Sequence, residues 1–317
     1  MIGLALIRSL LEHDRADSND FCPIGKIYAI VRENSTKLSL LPSSRKVVPI
    51  ACDLDNLYRL PFLIRSYEGD TDFEKLIKSP ANIFYHFGWA GTGGAANRAK
   101  SDIQRQNHTF SIQAVHAAAD LGCCKFIGAG SQAEYGLCSD NPIRPDSVTD
   151  PVSPYGIAKL IAGETVLEIC PKYHMDGFWV RIFSVYGTRD RTNSMIMSTI
   201  AKLKKDEKPS FTPAEQLWDY LNEKDAGNAF RLIGEKSTGN KVYCLGCGQS
   251  RPLAEYIYTI RDAVDPSLPV GIGDLPYPDH AVMNLCADIS ALQKDTGWKP
   301  EVRFEDGIKD ILKHWKE

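Results

Sequence analysis

The feature that most constrains this chain is an alternation, through its first half, of short β-branched apolar runs with longer helix-patterned segments. Lys26 to Arg32, Lys46 to Ala51, Asn82 to Phe87, Lys125 to Gly128 and Phe178 to Phe183 read as buried strands. Between them, Ile103 to Leu121 and Ser153 to Cys170 carry helix formers on a helical period. Parallel strands cannot be joined by tight turns and need crossovers of this kind, so the expected class is α/β with a doubly wound parallel sheet. After Gly187 the rhythm becomes irregular: a helix at Met195 to Lys205, a proline-containing stretch, a helix from near Asp225 and a last one from Phe304 to Trp315. This pattern predicts a smaller C-terminal α/β domain, with the division at 1–176 and 177–317 and some later segments returning to the first part. The two parts are expected to share an interface and a cleft.

Charge and cysteine usage exclude several classes of function. The chain has 37 basic and 40 acidic residues among 317, a net charge of −3, and no basic stripe that would serve nucleic acid. The apolar run Ile2 to Leu11 is interrupted by Arg8 and is too short for a membrane span or a signal peptide, so no membrane partner and a cytoplasmic location are expected. Nine cysteines, an odd number without a secretion signal, read as reduced thiols. Cys244 and Cys247 form a lone CxxC, and Cys123 and Cys124 are adjacent. Neither has the second ligand pair that zinc requires, so no metal is expected.

The chemistry-bearing pattern begins at Ser153 and Pro154, which are helix-start residues. Tyr155 and Lys159 follow on one helical face, four positions apart. A phenol ordinarily loses its proton near pH 10, and a neighbouring ammonium favours the phenolate, so Tyr155 is a candidate proton carrier near neutral pH. Taken alone, the pair reads equally as a core tyrosine beside a solvated lysine. Ser131 strengthens the functional reading, because it closes the strand beginning at Lys125, and ligands in doubly wound folds gather at the carboxyl ends of strands.

These segments resemble the extended short-chain dehydrogenase/reductase family, in its nucleotide-sugar epimerase, dehydratase and reductase branch. The resemblance rests on Ser131-Gln-Ala-Glu-Tyr-Gly136, Ser153-Pro-Tyr-Gly-Ile-Ala-Lys159, Arg181-Ile-Phe-Ser-Val-Tyr-Gly187 and Trp218-Asp-Tyr-Leu221 followed by Asp225-Ala226. It implies a Rossmann-like dinucleotide-binding domain over 1–176 and a substrate domain over 177–317. Tyr155 would then be the general acid or base, Lys159 the nicotinamide-ribose ligand and Ser131 the hydrogen-bond partner of the reacting sugar oxygen. It further implies that Asp53 and Leu54 contact the adenine, that Phe87, Gly88 and Trp89 line the cofactor, that Asn107 lies behind it and that Phe183 borders the nicotinamide. Taken singly, Asp53 reads equally as a turn cap, Asn107 as a surface amide, Trp89 as a core anchor and Gly91-Thr-Gly-Gly94 as an ordinary loop. A homodimer is implied, joined through the helices at Ile103 to Leu121 and Tyr155 to Cys170.

Departures from the family pattern refine the expectation. Arg32 closes the second strand, where an acidic residue would select NAD, and with Ser35 it favours NADP, although Glu33 adjoins it. Gln132 and Ala133 stand where dehydratases carry Asp-Glu, which leaves 4-epimerisation or net reduction of a 4-keto sugar. Glu134 is a candidate extra acid or base, although it is expected to alternate away from Ser131 if the strand continues. Ser184 and Trp218 replace an Asn and an Arg that help to hold the nucleotide diphosphate. Gln132 and Ser184 remain candidate substrate contacts, and Gln216 and Leu275-Pro-Tyr-Pro278 are candidate replacements; surface loops are the equal alternative.

At the start, Gly3 and the helix after it match only the end of the family's glycine-rich phosphate turn. Roughly ten residues holding a strand and two glycines have no counterpart. A start assigned too late is the expected explanation, with a truncated product or a catalytically silent binding relative as the other.

Overall fold

The structure, a computed structural model, describes residues 1–15, 23–36, 38–92, 95–279 and 281–315. Most of the insertion-like stretch from His13 to Ile24, with Cys22, and Gly93 and Gly94 of the glycine run lie outside the described residues.

The expected strands and crossovers are present. The chain runs through α1 (Ile2–Arg15), β1 (Ile27–Val31), β2 (Val47–Ala51), α2 (Leu60–Glu68), α3 (Asp70–Ile77), β3 (Ile83–His86), α4 (Ala95–Arg98), α5 (Ser101–Asp120), β4 (Lys125–Ser131), α6 (Pro154–Ile169) and β5 (Asp176–Ile182). It continues through β6 (Ser184–Tyr186), α7 (Met195–Leu203), β7 (Leu217–Trp218), β8 (Tyr220–Asn222), α8 (Glu223–Lys236), β9 (Lys241–Leu245), β10 (Arg251–Pro252), α9 (Leu253–Val264), α10 (Ser290–Thr296) and α11 (Phe304–Lys313).

β3, β4, β5 and β9 form a parallel sheet in that order, with Ile83 beside Lys125, Lys125 beside Asp176 and Phe178 beside Lys241. β4 and β5 are almost wholly buried, as expected of strands covered on both faces. One apolar cluster joins α5 and α6 to Phe126 and Trp179; another joins α1, α8 and β9 through Leu6, Phe178, Val180, Phe230 and Tyr243. α1 and α8 approach closely at Gly227, where a Cβ would press on the Ala5 carbonyl.

Among the described residues, β1 and β2 pair in parallel with each other but with no strand of the larger sheet. Among the described residues, β1 pairs only with β2 and β3 only with β4. Every residue of these two edges lines one cavity of about 1880 Å³, which also takes in Gly3, Leu6 and Leu10 of α1 and Leu60 and Ile64 of α2. It separates the two edges, and its walls carry strand backbone that no ladder among the described residues pairs.

The second half builds its own core. β6 and β8 pair in parallel, β7 and β10 pair antiparallel, and α7, α9 and α11 enclose Tyr186, Ile196, Ile200, Tyr256, Ile260, Phe304 and Ile308. The buried stripe of α11, Phe304, Ile308 and Ile311, has the helical spacing that fixes its inward face. β9 carries the chain back to β5 in the large sheet.

Candidate active site

The site is built where β4 ends. Ser131 is the last strand residue and also the N-cap of a 3-10 turn, Gln132–Glu134, with extended φ −152° and ψ 147°. Its hydroxyl accepts from the Ala133 N–H at 3.2 Å, and Glu134 Oε1 accepts from the Ser131 N–H at 2.7 Å, a complete capping box. The strand therefore does not continue. The turn brings Glu134 back onto Ser131, where strand alternation alone would have sent it away. Glu134 Oε1 also accepts from Trp179 Nε1 at 3.0 Å, and Oε2 accepts from Arg181 Nε at 2.6 Å. The Glu134 side chain is fully buried.

α6 begins as its sequence predicts: Ser153 Oγ accepts from the Gly156 N–H at 3.1 Å and Pro154 occupies the first turn. A Cβ at Gly156 would collide with the Ala133 carbonyl, so glycine lets α6 press against the turn that carries Ser131. Tyr155 and Lys159 emerge toward that turn, and both are buried, at 8% and 4% exposed. Lys159 donates to the Ala129 carbonyl at 2.5 Å, and its Nζ lies 3.5 Å from the centre of the Trp89 ring, with Trp179 at 5.6 Å and Tyr155 at 6.0 Å.

The electrostatics differ from the simple expectation that the lysine ammonium activates the tyrosine. Burial raises the Tyr155 pKa, and the hydrogen bond from Ser131 and the nearby Arg98 guanidinium pull it back. Arg98, on α4, lies 4.7 Å from the Tyr155 ring, and its Nε is buried without a partner. Burial pulls Lys159 down to about 7, with Glu134 opposing that fall and Arg98 adding to it. His86, at the end of β3, is pushed by burial and then by Lys159 down to about 3 and is neutral at neutral pH.

Most of the expected cofactor residues gather around the carboxyl ends of β1 and β3. Gly3, Arg32, Leu54, Phe87, Gly88 and Trp89 all line the large cavity. Gly3 sits against the Phe87 ring, and Gly88 leaves room for Leu54, whose Cδ2 would stand 2.5 Å from a Cβ there. Arg32 and Ser35 close a turn in which the Ser35 N–H donates to the Arg32 carbonyl at 3.1 Å. Asp53 precedes the 3-10 turn Leu54–Arg59 and makes no side-chain cap bond. Asn107 is not a surface amide: its side chain accepts from the Ala90 N–H at 2.7 Å and donates to the Ala90 carbonyl at 2.9 Å, pinning the segment after β3 to α5. Trp89, held through Gln104 at 2.9 Å, links the cavity to Lys159. This set fits the ribose and adenine side of a dinucleotide; among the described residues, Gly3 is the glycine placed at the start of α1.

The candidate substrate residues are spread along the later elements. Gln132 is half-buried beside Ser131; Phe183, expected at the nicotinamide rather than the substrate, is buried against Tyr135. Ser184 accepts from Trp218 Nε1 at 2.8 Å, so the two departures from the family pattern touch each other. Gln216 accepts from the Tyr277 hydroxyl at 3.0 Å, which joins it to the Leu275-Pro-Tyr-Pro278 run. The sequence reading missed Arg98, His86 and the direction of Glu134. A charged Arg181 inside a buried strand was the available signal that an internal acid must be close. The described cysteines are free, and no group of described His, Cys, Asp or Glu residues has the arrangement of a metal site.

The family model described as the NAD dependent epimerase/dehydratase family matches residues 1–246. The dTDP-4-dehydro-6-deoxyglucose reductase of Escherichia coli is 26% identical over 197 residues, covering 61% of this chain and 61% of that protein, so the match spans less than two thirds of the relative. The UDP-glucose 4-epimerase of Thermotoga maritima, solved with UDP-glucose, has a similar fold at a TM-score of 0.80 and 18% identity, covering 99% of this chain and 95% of that one. RMD from Pseudomonas aeruginosa, complexed with NADPH, matches at a TM-score of 0.69 and 19% identity, covering 88% and 92%. No described helix is long and apolar enough to cross a membrane.

Proposed function

The chain belongs to the NAD dependent epimerase/dehydratase family, and from that premise we propose that it is an NAD(P)-dependent nucleotide-sugar 4-epimerase or 4-ketoreductase with Tyr155 as its general acid/base. The observation that carries this reading is the buried group in which Tyr155 and Lys159, one helical turn apart on α6, press against the turn that carries Ser131.

Ser131 and Tyr155 hold the C4 oxygen of the sugar between two hydroxyls. In the oxidative direction, Tyr155 Oη takes the proton of the C4 hydroxyl as the C4–H bond breaks. In the reductive direction it returns that proton to the oxygen. A nicotinamide cofactor, when bound, supplies or accepts the hydride. Gly3, Arg32, Ser35, Asp53, Leu54, Phe87, Gly88, Trp89, Asn107 and Phe183 would surround it, and Lys159 would bind its ribose. Arg32 and Ser35 favour NADP. Elimination of water is disfavoured because Gln132 and Ala133 are not acids and both Glu134 oxygens are committed to N–H donors.

We place the substrate domain at 177–317, with Ser184 and Gln216 on its nucleotide side. We also propose a homodimer formed through α5 and α6, which pack side by side; Ile157 and Ile161 of α6 are each 44% exposed. The cavity between β1 and β3 supports a second reading, a catalytically silent nucleotide-sugar binder.

One pair of measurements separates the two. Wild type should quench or enhance NADPH fluorescence on binding and interconvert or reduce a member of a nucleotide-sugar panel. Tyr155→Phe should keep binding, stay folded and lose turnover by about 10² to 10⁴-fold. Full activity in Tyr155→Phe would overturn the mechanism; nucleotide-sugar binding without turnover in wild type would favour the silent reading.

A further inference from the structure

We infer that Glu134 is a positioning residue of this site: its carboxylate fixes Ser131 through the backbone N–H and provides the buried negative charge that balances Lys159. The role in catalysis rests on the epimerase or reductase reading; the placement of charge does not.

All three hydrogen bonds at Glu134 arrive from donors: the Ser131 N–H, the Trp179 indole N–H and the Arg181 guanidinium. A protonated carboxyl would need an acceptor for its own hydrogen, and none of these groups is one, so the geometry selects the ionised form. Burial pushes the Glu134 pKa up, and the Arg181 guanidinium beside it opposes that shift. Arg181 is itself held by the Tyr135 hydroxyl at 2.9 Å and the Pro145 carbonyl at 3.0 Å, which fixes the ion pair at the base of the site.

The connection to Lys159 runs through Trp179. Its indole N–H is donated to Glu134, and its ring lies 5.6 Å from Lys159 Nζ. Glycine makes this possible on two sides: a Cβ at Gly130 of β4 or at Gly163 of α6 would stand 2.5 Å from Trp179 Nε1. The charged and titratable groups facing Lys159 are Tyr155 on its own helix, His86 from β3, Arg98 from α4 and Glu134 from the turn after β4. His86 is neutral and Arg98 repels, so Glu134 is the group that favours the ammonium. Ser131 is tied to the same carboxylate, so charge and hydroxyl position are set together.

The test is a nuclear magnetic resonance titration of the free protein labelled with [13Cε]lysine, the Lys159 signal being assigned with Lys159→Arg. Glu134→Gln keeps an oxygen for the Ser131 N–H and removes the charge. It should lower the Lys159 midpoint by a pH unit or more, and an unchanged midpoint would overturn the proposal. Should Glu134→Gln not fold, infrared difference spectra of the wild-type protein between about pH 6 and about pH 9 address the same point. A buried protonated carboxyl band that disappears in isotope-labelled glutamate would overturn the proposal, and its absence would support it. Neither measurement needs substrate, so failure of the proposed activity leaves the charge test standing.

Discussion

The indole nitrogen of Trp218 donates to the hydroxyl of Ser184 at 2.8 Å, joining β7 to β6 at two positions where the family resemblance implies contacts to a nucleotide diphosphate. The hydroxyl is engaged within the protein, and neither residue carries a cation. Trp218→Arg should therefore release Ser184 and add a guanidinium suited to paired phosphate oxygens. Calorimetric affinity for UDP is expected to rise about tenfold, or ~1.4 kcal/mol. Unchanged affinity would remove this pair from the phosphate side of the site.

Lys159 connects the site to stability. Its pKa falls to about 7 on burial, against a value of about 10.4 in the unfolded chain. Between those values the unfolded chain holds the proton and the folded chain does not, so this group's contribution to stability rises with pH across that window. Below about pH 7 both states are protonated, and the whole cost of burying the ammonium is present. Lys159→Met is expected to melt higher than wild type at pH 7, with the gap narrowing toward about pH 10, while NADPH binding is lost. A gap that does not change with pH would show that the ammonium is not a buried cation.

The cavity between β1 and β3 makes a structural prediction. Fusing five β-branched residues and a short glycine-containing turn ahead of Met1 should place a strand parallel to both edges, ending at the start of α1. A right-handed connection through α1 to β1 would follow. Melting temperature should rise by several degrees, about 2–4 °C for each kcal/mol gained, and NADPH should bind more tightly. A scrambled, charged extension of equal length is the control; equal behaviour of the two would mean that the cavity does not accept a strand.

Arg32 is exposed at the end of β1 and lines the same cavity. Arg32→Asp replaces a phosphate-compatible cation with a ribose-hydroxyl acceptor. The ratio of NADPH to NADH affinity, followed by fluorescence, is expected to fall at least tenfold, corresponding to about 1.4 kcal/mol. A constant ratio would move the discrimination to another residue.

The strands that apolar runs mark, and the crossovers α5 and α6, were legible in the sequence because each is a local pattern. α2, α3 and α9 were not read, since their amphipathic patterns are short or interrupted. β9 was missed because a strand that returns to a sheet from a distant part of the chain carries no local mark of its partner. The resemblance implies that Asn107 lies behind the cofactor, and its bonds to Ala90, which no local pattern marks, come from packing of α5 on the segment after β3. Glu134 was misdirected because alternation assumes that a strand continues, whereas the capping box at Ser131 ends it.

By itself the sequence determined that Tyr155 and Lys159 share one helical face and that Ser131 stands at a strand end, because helix and strand periodicity act over a few residues. Only the tertiary structure decided their charge environment. Burial among Trp89, Trp179 and Tyr155 draws Lys159 down, Arg98 and Glu134 act on it from other elements, and Trp218 meets Ser184 across two strands. Desolvation and Coulomb interactions sum over neighbours in space, and those neighbours lie far apart along the chain.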